Sequence, residues 1–334
     1  MNGRKILRVG WIILTVLVVV SGAVGFDFVS FYRRQVPETK IISIQKGWNL
    51  HRVSRVLEAQ GVVSSAFWMV LLAKVTNQLV VQAGEYRFEQ GRLPGAVLAQ
   101  LQDGTGVTKL RFVVPEGLSL KEIVVLMEKQ GWKDAGSVVL DPMFAQGLRL
   151  DGGHLEGWMF PDTYFYRSGD LVVDMTRRMV ARAKKTLQEE WDHRPKDFKF
   201  TAYQALILAS IVEKETGQGS ERPLISGVFQ NRLKRDMMLQ SDPTVIYGIA
   251  NFDGNITRKH LTTSTPYNTY MRKGLPPTPI CNPGRASIHA VFYPESTRSL
   301  YFVANGNGAH VFSSTLEEHE KNVDTYQRRG KRHP

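Results

Sequence analysis

The first pattern along the chain is an uncharged apolar stretch of 18 residues over 9–26. Its length and composition are typical of a helix that crosses the hydrocarbon core of a bilayer. The basic residues that precede it are Arg4, Lys5 and Arg8. Because basic residues favour the cytoplasmic side, we predict a cytoplasmic tail over 1–8 and a single-pass transmembrane anchor over 9–30. The rest of the chain would lie on the outer, periplasmic side of the cytoplasmic membrane.

A cleaved signal peptide is the alternative explanation of the same stretch. Residues 11–20 would form its apolar region, and the small residues after them would suit a cleavage site. However, Asp27, Phe28, Phe31 and Tyr32 follow directly, and they suit a collar at the membrane surface better than a mature N-terminus. We therefore favour the retained anchor.

A short apolar strand, a glycine turn and an amphipathic helix occur twice, seventy residues apart. Gly47 and the helix cap Asn49 follow the strand in the first copy, and Gly117 and Ser119 follow it in the second. A weaker third copy covers 86–101. The repetition predicts similar small units before the main domain.

This strand-turn-helix pattern resembles the LysM module, a small fold that binds glycans containing N-acetylglucosamine. The resemblance implies a LysM-like repeat region over 38–135. Strand-turn-helix units are common, so a spacer or scaffold without glycan contact stays open as the alternative.

Beyond residue 150 the chain combines longer helical patterns with turn-rich, aromatic segments. The periodicity predicts helices over about 172–190, 201–216, 221–235 and 315–329. Strand patterns at 300–304 and 310–313 flank Asn305-Gly-Asn-Gly308 and predict a β-hairpin. The predicted fold class is α+β, with an N-terminal transmembrane helix, a small LysM-like subdomain and a larger mixed α+β catalytic domain over 150–326.

The net charge of +12 could indicate a nucleic-acid partner, but its distribution argues against one. Five basic residues lie in the first 34 positions, and four more follow Asp324 in a basic tail over 327–334. The residues between carry 34 basic against 30 acidic side chains. A body so nearly balanced lacks the basic surface of a nucleic-acid-binding protein.

Cysteine and histidine usage restricts the chemistry further. Cys281 is the only cysteine, which excludes an intramolecular disulfide and a cysteine-based zinc site. The eight histidines show no HExxH or similar ligand spacing. We therefore expect neither a metal nor a cofactor.

The strongest candidate for catalysis is the end of the apolar segment 203–217. This segment is apolar almost all round over 205–212, which predicts a buried helix whose final acids, Glu213 and Glu215, emerge beside the core. Burial favours the neutral form of a carboxyl group, and a raised pKa suits a general acid. Two positions along a helix are about 200° apart around its axis, so only one of these acids can point into a given cleft.

Other polar residues have a structural explanation beside the functional one. Glu156 and Asp162 lie among aromatic residues in a turn-rich segment, where Asp162 could simply cap the next turn. Ser241 or Asp242 could cap a helix that has Pro243 in its first turn. Tyrosine and amide side chains suited to sugar binding lie in the following loop, at Tyr267, Asn268 and Tyr270.

The ordered set of motifs over about 150–325 resembles the endolytic murein transglycosylases, also called YceG-like or MltG proteins. The matching elements are Glu156-Gly-Trp-Met-Phe-Pro-Asp162-Thr, Ala209-Ser-Ile-Val-Glu-Lys-Glu215-Thr, Asn231-Arg-Leu, Leu239-Gln-Ser-Asp-Pro-Thr-Val-Ile-Tyr-Gly248, Tyr267-Asn-Thr-Tyr270, Gly274-Leu-Pro-Pro277, Asn282-Pro-Gly284 and His310-x-Phe. Each string alone is modest, but the ordered set is specific. Thr278 stands where a glycine is common in the family.

The resemblance implies an enzyme that cuts the MurNAc-β-1,4-GlcNAc bond inside nascent glycan strands and leaves 1,6-anhydro-MurNAc ends, which would terminate strand elongation. Its catalytic position corresponds to the second acid of Glu-Lys-Glu, Glu215. Penicillin-binding protein synthases are the partners it implies, beside the peptidoglycan strands and the membrane. The supporting or substrate-binding residues are Glu156, Asp162, Glu213, Asn231, Gln240, Asp242, Tyr267, Asn268 and Tyr270.

Two alternative functions remain open at this point. A lysozyme-like hydrolase would act on the same bond but needs a second carboxylate to position water. A non-catalytic peptidoglycan-binding scaffold would use the strand-turn-helix repeats to recruit cell-wall synthases.

Overall fold

The computed structural model describes residues 3–105, 110–167 and 169–328. The chain divides into two compact units, Met1–Arg111 with Phe165–Asp170, and Phe112–Tyr164 with Leu171–Pro334. The first two residues of the predicted cytoplasmic tail (1–8) and the last six of the predicted basic tail (327–334) lie outside the described residues.

The smaller unit begins with a long apolar helix. Its elements are α1 (Gly3–Arg33), β1 (Lys40–Ile44), α2 (Leu50–Ala59), α3 (Ala66–Val75), β2 (Gly84–Phe88) and α4 (Pro94–Asp103). α1 is long and apolar enough to cross a membrane over Gly10–Arg33, and none of its apolar window is buried. These properties are compatible with the predicted single-pass anchor.

The rest of this unit packs three helices around a two-stranded sheet. β1 and β2 pair antiparallel, with Ile42 opposite Tyr86. Asn49 caps α2 as the sequence predicts, because its side chain accepts a hydrogen bond of 2.9 Å from the Arg52 amide. Side chains from every element form one core, including Phe31, Ile42, Val53, Leu57, Met69, Tyr86, Phe88, Val97 and Leu101.

The larger unit contains most of the helices. Its elements, with the two strands that cross the division between the units, are β3 (Leu110–Val113), α5 (Leu120–Lys129), α6 (Ala135–Val139), α7 (Pro142–Gly147), β4 (Thr163–Tyr166), α8 (Val172–Asp192), α9 (Ala202–Glu215), α10 (Arg222–Lys234), α11 (Asp242–Tyr247), α12 (Arg258–Thr262), α13 (Arg285–Phe292), β5 (Tyr301–Ala304), β6 (His310–Ser313) and α14 (Leu316–Val323). A 3-10 turn over Gly219–Glu221 precedes α10, and a π-helical segment over Asp324–Arg328 follows α14.

Helix α9 is the centre of the larger unit. It packs against α8, α10, α11 and α13, and every residue from Ala205 to Glu213 is buried. Thr201 and Gln204 form a capping box at its start. A helix covered on all sides fits the apolar segment that the sequence shows, and it brings the acids at its end into the interior.

Most of the predicted elements are confirmed within two residues. The exception is the C-terminal helix, predicted to run from 315 to 329: α14 ends at Val323, and the next five residues form a π-helix. Residue 329 lies outside the described residues. The predicted hairpin is confirmed, because β5 and β6 pair antiparallel with Tyr301 opposite Ser313.

The copies of the strand-turn-helix pattern fall in different units. The first copy contributes β1 and α2, and the third contributes β2 and α4, to the smaller unit. The second copy leads into α5 of the larger unit, where Ser119 and Glu122 form a capping box. The predicted repeat region over 38–135 is therefore distributed over both units.

Candidate active site

Glu215 is the last residue of α9 and is half-buried. The Ser241 hydroxyl donates a hydrogen bond of 2.5 Å to Glu215 Oε1. Burial is the main cause that raises the pKa of Glu215 to about 7, and the Ser241 hydrogen bond opposes that rise. The negative charge of Asp242 raises this pKa further, whereas the charges of His310 and Arg232 lower it. Glu215 is therefore a carboxyl group that can carry a proton near neutral pH.

Ser241 and Asp242 lie at the start of α11. Ser241 occupies the N-cap position without a side-chain capping bond, and its hydroxyl donates to Glu215. Asp242 is the first helical residue, and its Oδ1 accepts a hydrogen bond of 2.7 Å from the Tyr270 hydroxyl. The capping role left open for Asp242 in the sequence is thus not what its carboxylate does. Its exposed side chain lies beside Glu215 instead.

The segment 267–270 fixes this corner of the site. The Asn268 amide is buried and donates to the carbonyl oxygens of His260, Leu261 and Thr263, while its Oδ1 accepts from the Tyr270 amide at 2.9 Å. These bonds tie the loop to α12 and to Thr263, so Asn268 holds Tyr270 in place rather than presenting donors to a ligand. The Thr269 hydroxyl accepts from the Ser241 amide at 3.0 Å and so links this loop to the start of α11.

Gln240 adopts a left-handed backbone conformation, with φ +50, immediately before Ser241. Such a conformation is uncommon for a residue with a Cβ and is found where surrounding contacts impose it. Its amide donates to the Thr269 carbonyl at 3.1 Å, and its side-chain oxygen accepts from Arg232 at 3.4 Å. Arg232 in turn donates to the carbonyls of Leu239 and Leu300 at 2.8 and 2.6 Å. The bonds to Thr269 on one side and to Arg232 on the other therefore fix the turn that orients Ser241 toward Glu215.

Asn231 lies next to Arg232 on α10 and faces the segment before the hairpin. Its amide donates to the carbonyls of Thr297 and Ser299, at 2.8 and 3.2 Å. The structure therefore gives Asn231 a role in fixing that segment.

Glu213 points away from Glu215. Its carboxylate accepts from Arg222 at 3.0 Å and from the Gly284 amide, the N-cap of α13, at 2.9 Å. Arg222 also lies 3.5 Å from Glu116. The separation of the two acids around the helix is therefore observed, with Glu213 in a buried ion pair and Glu215 at the accessible corner.

Glu156 is a third buried carboxyl group, with 5% of its surface exposed. It accepts from the Leu120 amide at 3.0 Å, from the Tyr247 hydroxyl at 2.9 Å and from the Asn282 amide at 3.1 Å. Burial raises its pKa to about 7, against the lowering effect of the hydrogen bonds from Leu120 and Tyr247. Its oxygens are occupied at the start of α5, which indicates that Glu156 positions the helices around it.

Tyr267 and Asp162 have partners that differ from those of Glu215. The Tyr267 hydroxyl lies 2.9 Å from the Thr278 hydroxyl, and its ring packs edge-on against Tyr247 with centroids 4.9 Å apart. Asp162 accepts from the Thr163 amide at 2.8 Å and pairs with Arg182 of α8 at 3.2 Å. The structure therefore links Tyr267 to the Glu156 cluster and Asp162 to α8.

Two cavities of the larger unit adjoin these residues. One, of about 690 Å³, is lined by the Glu156 and Tyr247 cluster together with Lys121, Lys214, Ile246 and Phe252. The other, of about 530 Å³, lies along the segment from Gly274 to Pro277 and reaches Thr269. The first cavity reaches the end of α9 at Lys214 and offers room for part of an extended ligand, whereas neither lining contains Glu215 itself.

A second polar cluster behind Glu215 is not evident from the sequence. Glu221 accepts from the backbone amide of His310 at 2.8 Å and lies 2.7 Å from its Nδ1. The Thr216 hydroxyl, directly after Glu215, lies 3.3 Å from Glu221. Glu221 and His310 are 89 positions apart in sequence, and the only signal for His310 is its place in a family motif. The sequence likewise predicts Ser241 only as a helix cap.

The described residues contain no group of three or more His, Cys, Asp or Glu side chains arranged to hold a metal ion. Cys281 is buried, and its thiol lies 3.2 Å from the Ser210 carbonyl. Burial raises the pKa of this thiol well above its usual value, so it is held as a neutral core residue.

Comparison with known proteins gives consistent matches. The model of the YceG-like family matches residues 42–325. An endolytic murein transglycosylase of Bacillus subtilis (strain 168) is 28% identical over 305 residues, which cover 85% of this chain and 84% of that protein. One from Streptococcus pneumoniae (serotype 2, strain D39) is 27% identical over 358 residues, covering 96% of this chain and 65% of the relative.

A solved structure matches as well. The crystal structure of a YceG-like protein from Listeria monocytogenes superposes with a TM-score of 0.58 at 31% sequence identity. The match covers 85% of this chain and 99% of the Listeria chain.

Proposed function

Because the chain belongs to the YceG-like family, we propose that it is an endolytic lytic transglycosylase of peptidoglycan. It cleaves the MurNAc-β-1,4-GlcNAc bond within nascent glycan strands and leaves 1,6-anhydro-MurNAc ends. Each cut ends a strand and so limits its elongation. The names of the relatives in Bacillus subtilis and Streptococcus pneumoniae support the activity.

Glu215 performs both proton transfers in this proposal. Its protonated carboxyl group donates a proton to the glycosidic oxygen, and the bond from that oxygen to C1 of MurNAc breaks. The resulting carboxylate then takes the proton of the C6 hydroxyl, whose oxygen bonds to C1 and closes the anhydro ring. No water is consumed, and Glu215 ends in its starting protonation state.

The observation that carries the proposal is the position of Glu215, a partly exposed carboxyl group at the end of α9 that Ser241 holds by a hydrogen bond. A carboxyl group with a pKa of about 7 is both a competent acid and, once ionised, a competent base near neutral pH. Glu213 and Glu156 do not share this position, because each is enclosed by an ion pair or by several hydrogen bonds. They support the site by fixing the helices around it.

The test is Glu215→Gln in the full-length chain, incubated with purified glycan strands. We expect the release of anhydro-muropeptides to be abolished while thermal unfolding and glycan binding stay as in the wild type. Glu128→Gln, at a half-buried position of α5, is the matched control and should retain activity. Anhydro products from Glu215→Gln would overturn the assignment.

A lysozyme-like hydrolase is the second candidate, and one observation favours it. Asp242 lies close enough for its charge to raise the pKa of Glu215, so a second carboxylate is available near the reacting bond. Its Oδ1 is taken by Tyr270, which leaves the other oxygen to position water. Mass spectrometry separates the two functions, since hydrolysed ends are one water heavier than anhydro ends. A scaffold function would instead leave Glu215→Gln without any effect.

We also propose where the chain lies and what it contacts. α1 anchors the chain in the cytoplasmic membrane in a single pass, with the catalytic domain (150–326) on the outer side. The strand-turn-helix region over 38–135 acts as a LysM-like glycan contact, and penicillin-binding protein synthases are partners. The exposed, apolar surface of α1 supports the anchor. Pull-down of the full chain with glycan strands, with and without substitutions in this region, tests the glycan contact.

A further inference from the structure

Helix α3 of the smaller unit presents an apolar face to the outside. Phe67, Leu71 and Val75 recur every fourth residue and therefore form one stripe. Phe67 is 68% exposed and Val75 is 78% exposed. The residues that follow the helix include Leu79 and Val80, which are also exposed. An apolar patch of this kind marks a binding surface.

The patch continues the apolar surface of α1. A groove of about 490 Å³ is lined by Val20, Val24 and Phe28 on α1 and by Trp68, Leu71, Leu72 and Val75 on α3. Phe28 and Val20 are eight residues apart, so the groove follows α1 for about 12 Å. α3 thus runs beside the last two turns of the segment proposed to lie in the membrane.

Specific contacts fix α3 in this position. The Trp68 indole donates a hydrogen bond of 2.8 Å to Asp27, at the end of the apolar stretch of α1. The Trp68 and Phe28 rings pack edge-on, with centroids 5.2 Å apart. Trp68 is a residue type that favours the boundary between lipid and water. The bond between Trp68 and Asp27 therefore marks the depth at which polar groups meet the membrane surface. The apolar groove extends from there along α1 toward Val20.

The other side of α3 carries positive charge. A second cavity, of about 660 Å³, is lined by His51, Arg55 and Glu58 of α2 and by Phe67, Leu71 and Lys74 of α3. Arg55 and Lys74 are exposed, and Glu58 is the single acid in this lining. Long basic side chains beside an apolar stripe can reach lipid phosphates while their stems stay in apolar surroundings.

We propose that α3 inserts into the outer leaflet alongside α1, with Trp68 at the depth of Asp27 and Val75 deeper among the acyl chains. Acyl chains fill the groove between Val24 and Leu72 and cover Phe67, Leu71 and Val75. Arg55 and Lys74 contact the phosphates of anionic lipids. The occupant is the lipid of the bilayer that α1 crosses, because the groove is continuous with the apolar surface of that helix. This inference rests on the proposed anchor, and it adds a second attachment of the smaller unit to the membrane.

The experiment uses single added cysteines in the full-length chain, reconstituted in liposomes that contain phosphatidylglycerol. Native Cys281 is buried and does not compete for a bimane label. The test position is Val75→Cys, with Leu17→Cys on α1 as the membrane reference and Ile41→Cys, an exposed position on β1, as the aqueous reference. Lipids brominated in the acyl chains should quench bimane at Val75 to a degree similar to that at Leu17. They should leave bimane at Ile41 bright.

The outcomes distinguish this inference from the anchor on which it rests. If Leu17 is quenched by brominated lipid but Val75 responds only to aqueous iodide, the anchor stands and the inference is wrong. If neither Leu17 nor Val75 is quenched by lipid, both are wrong. If Val75 is shielded from lipid and iodide alike, another protein or a second copy covers α3, which also overturns the proposal.

The proposed contact of Arg55 and Lys74 with anionic lipids is tested separately. The double variant Arg55→Gln, Lys74→Gln should weaken the quenching at Val75 in phosphatidylglycerol liposomes, since each cation near an anionic surface favours binding by about fivefold. Glu58→Gln is the control and should not weaken it. Unchanged quenching in the double variant would contradict the contact with anionic lipid.

Discussion

The Ser241 hydroxyl, at the N-cap of α11, donates a hydrogen bond to Glu215 at the end of α9 and makes no capping bond to its own helix. The two residues are 26 positions apart, and the left-handed turn at Gln240 brings them together. Because this bond favours the ionised carboxylate while burial favours the neutral one, Ser241 adjusts the pKa of the proposed catalytic acid.

The pKa of Glu215 predicts the alkaline side of the activity profile. The turnover rate should be highest while the carboxyl group is protonated and should fall as pH rises through about 7. The measurement is turnover of purified glycan strands by the detergent-solubilised chain between pH 5 and 9, a range that includes the pKa of about 7. A rate that stays constant across that range would contradict Glu215 as the acid.

Ser241→Ala should move the alkaline limb to higher pH. The substitution removes a hydrogen bond to the ionised carboxylate, which is equivalent to about one pH unit. The maximal rate should also fall, because the carboxyl group loses the contact that orients it. Ser226→Ala is the matched control, since Ser226 is buried in α10 and bonds to Gln230. An unchanged limb in Ser241→Ala would show that the hydroxyl does not act on Glu215.

Asp242→Asn should move the same limb in the opposite direction. It removes a negative charge that raises the pKa of Glu215, while the asparagine oxygen can still accept the Tyr270 hydrogen bond. The pH profile of turnover measures the shift. If the variant instead loses all activity and the wild type releases reducing ends, Asp242 serves as the second carboxylate of a hydrolase.

Glu213→Gln should reduce stability without moving the pH profile. Removing one partner of a buried ion pair leaves Arg222 poorly compensated, at a cost of about 3 kcal/mol. Thermal unfolding in one detergent measures the loss. Glu189→Gln, which breaks an exposed pair with Arg285, is the control and should change stability little. A shifted profile with unchanged stability would give Glu213 a direct role in the chemistry.

Glu156 should make stability depend on pH. Its pKa in the folded chain, about 7, is raised above the unfolded value, so the folded state holds an extra proton between the two. The stabilisation is complete below the unfolded value and is lost as pH rises through about 7. Relative to Glu156→Gln, the wild type should therefore lose about 3 kcal/mol over that interval. Unfolding curves of both proteins at pH 4.5 and pH 8.5 test this, because these values lie at the unfolded pKa of 4.5 and above the folded pKa of about 7. A constant difference between them would contradict the raised pKa.

The sequence predicts the local elements of the site well. The apolar run of α9 with its terminal acids, the cap residues Asn49 and Ser119, and the hairpin of β5 and β6 all follow from short-range periodicity and turn chemistry. Each depends on residues within a few positions of one another, where helix and strand geometry is fixed.

The contacts that tune the acids are not predictable in this way. The bond of Glu156 to the Leu120 amide joins residues 36 positions apart, and the pair of Glu221 with His310 joins residues 89 apart. Periodicity carries no information on such pairs. The predicted end of the C-terminal helix is also wrong. The polar residues that follow Val323 continue as a π-helix rather than as an α-helix.

The chain crosses between the two compact units three times, which limits how a gene could be divided between them. The chain passes from the smaller unit to the larger at Arg111, returns for Phe165–Asp170 and leaves again at Leu171. In the returning segment Arg167 donates a hydrogen bond of 2.7 Å to Gln82. A gene fragment that begins at Phe112 would therefore encode the larger unit together with a strip of the smaller one, deprived of its partners. A single exchange point at this boundary would therefore not transfer the smaller unit as a whole.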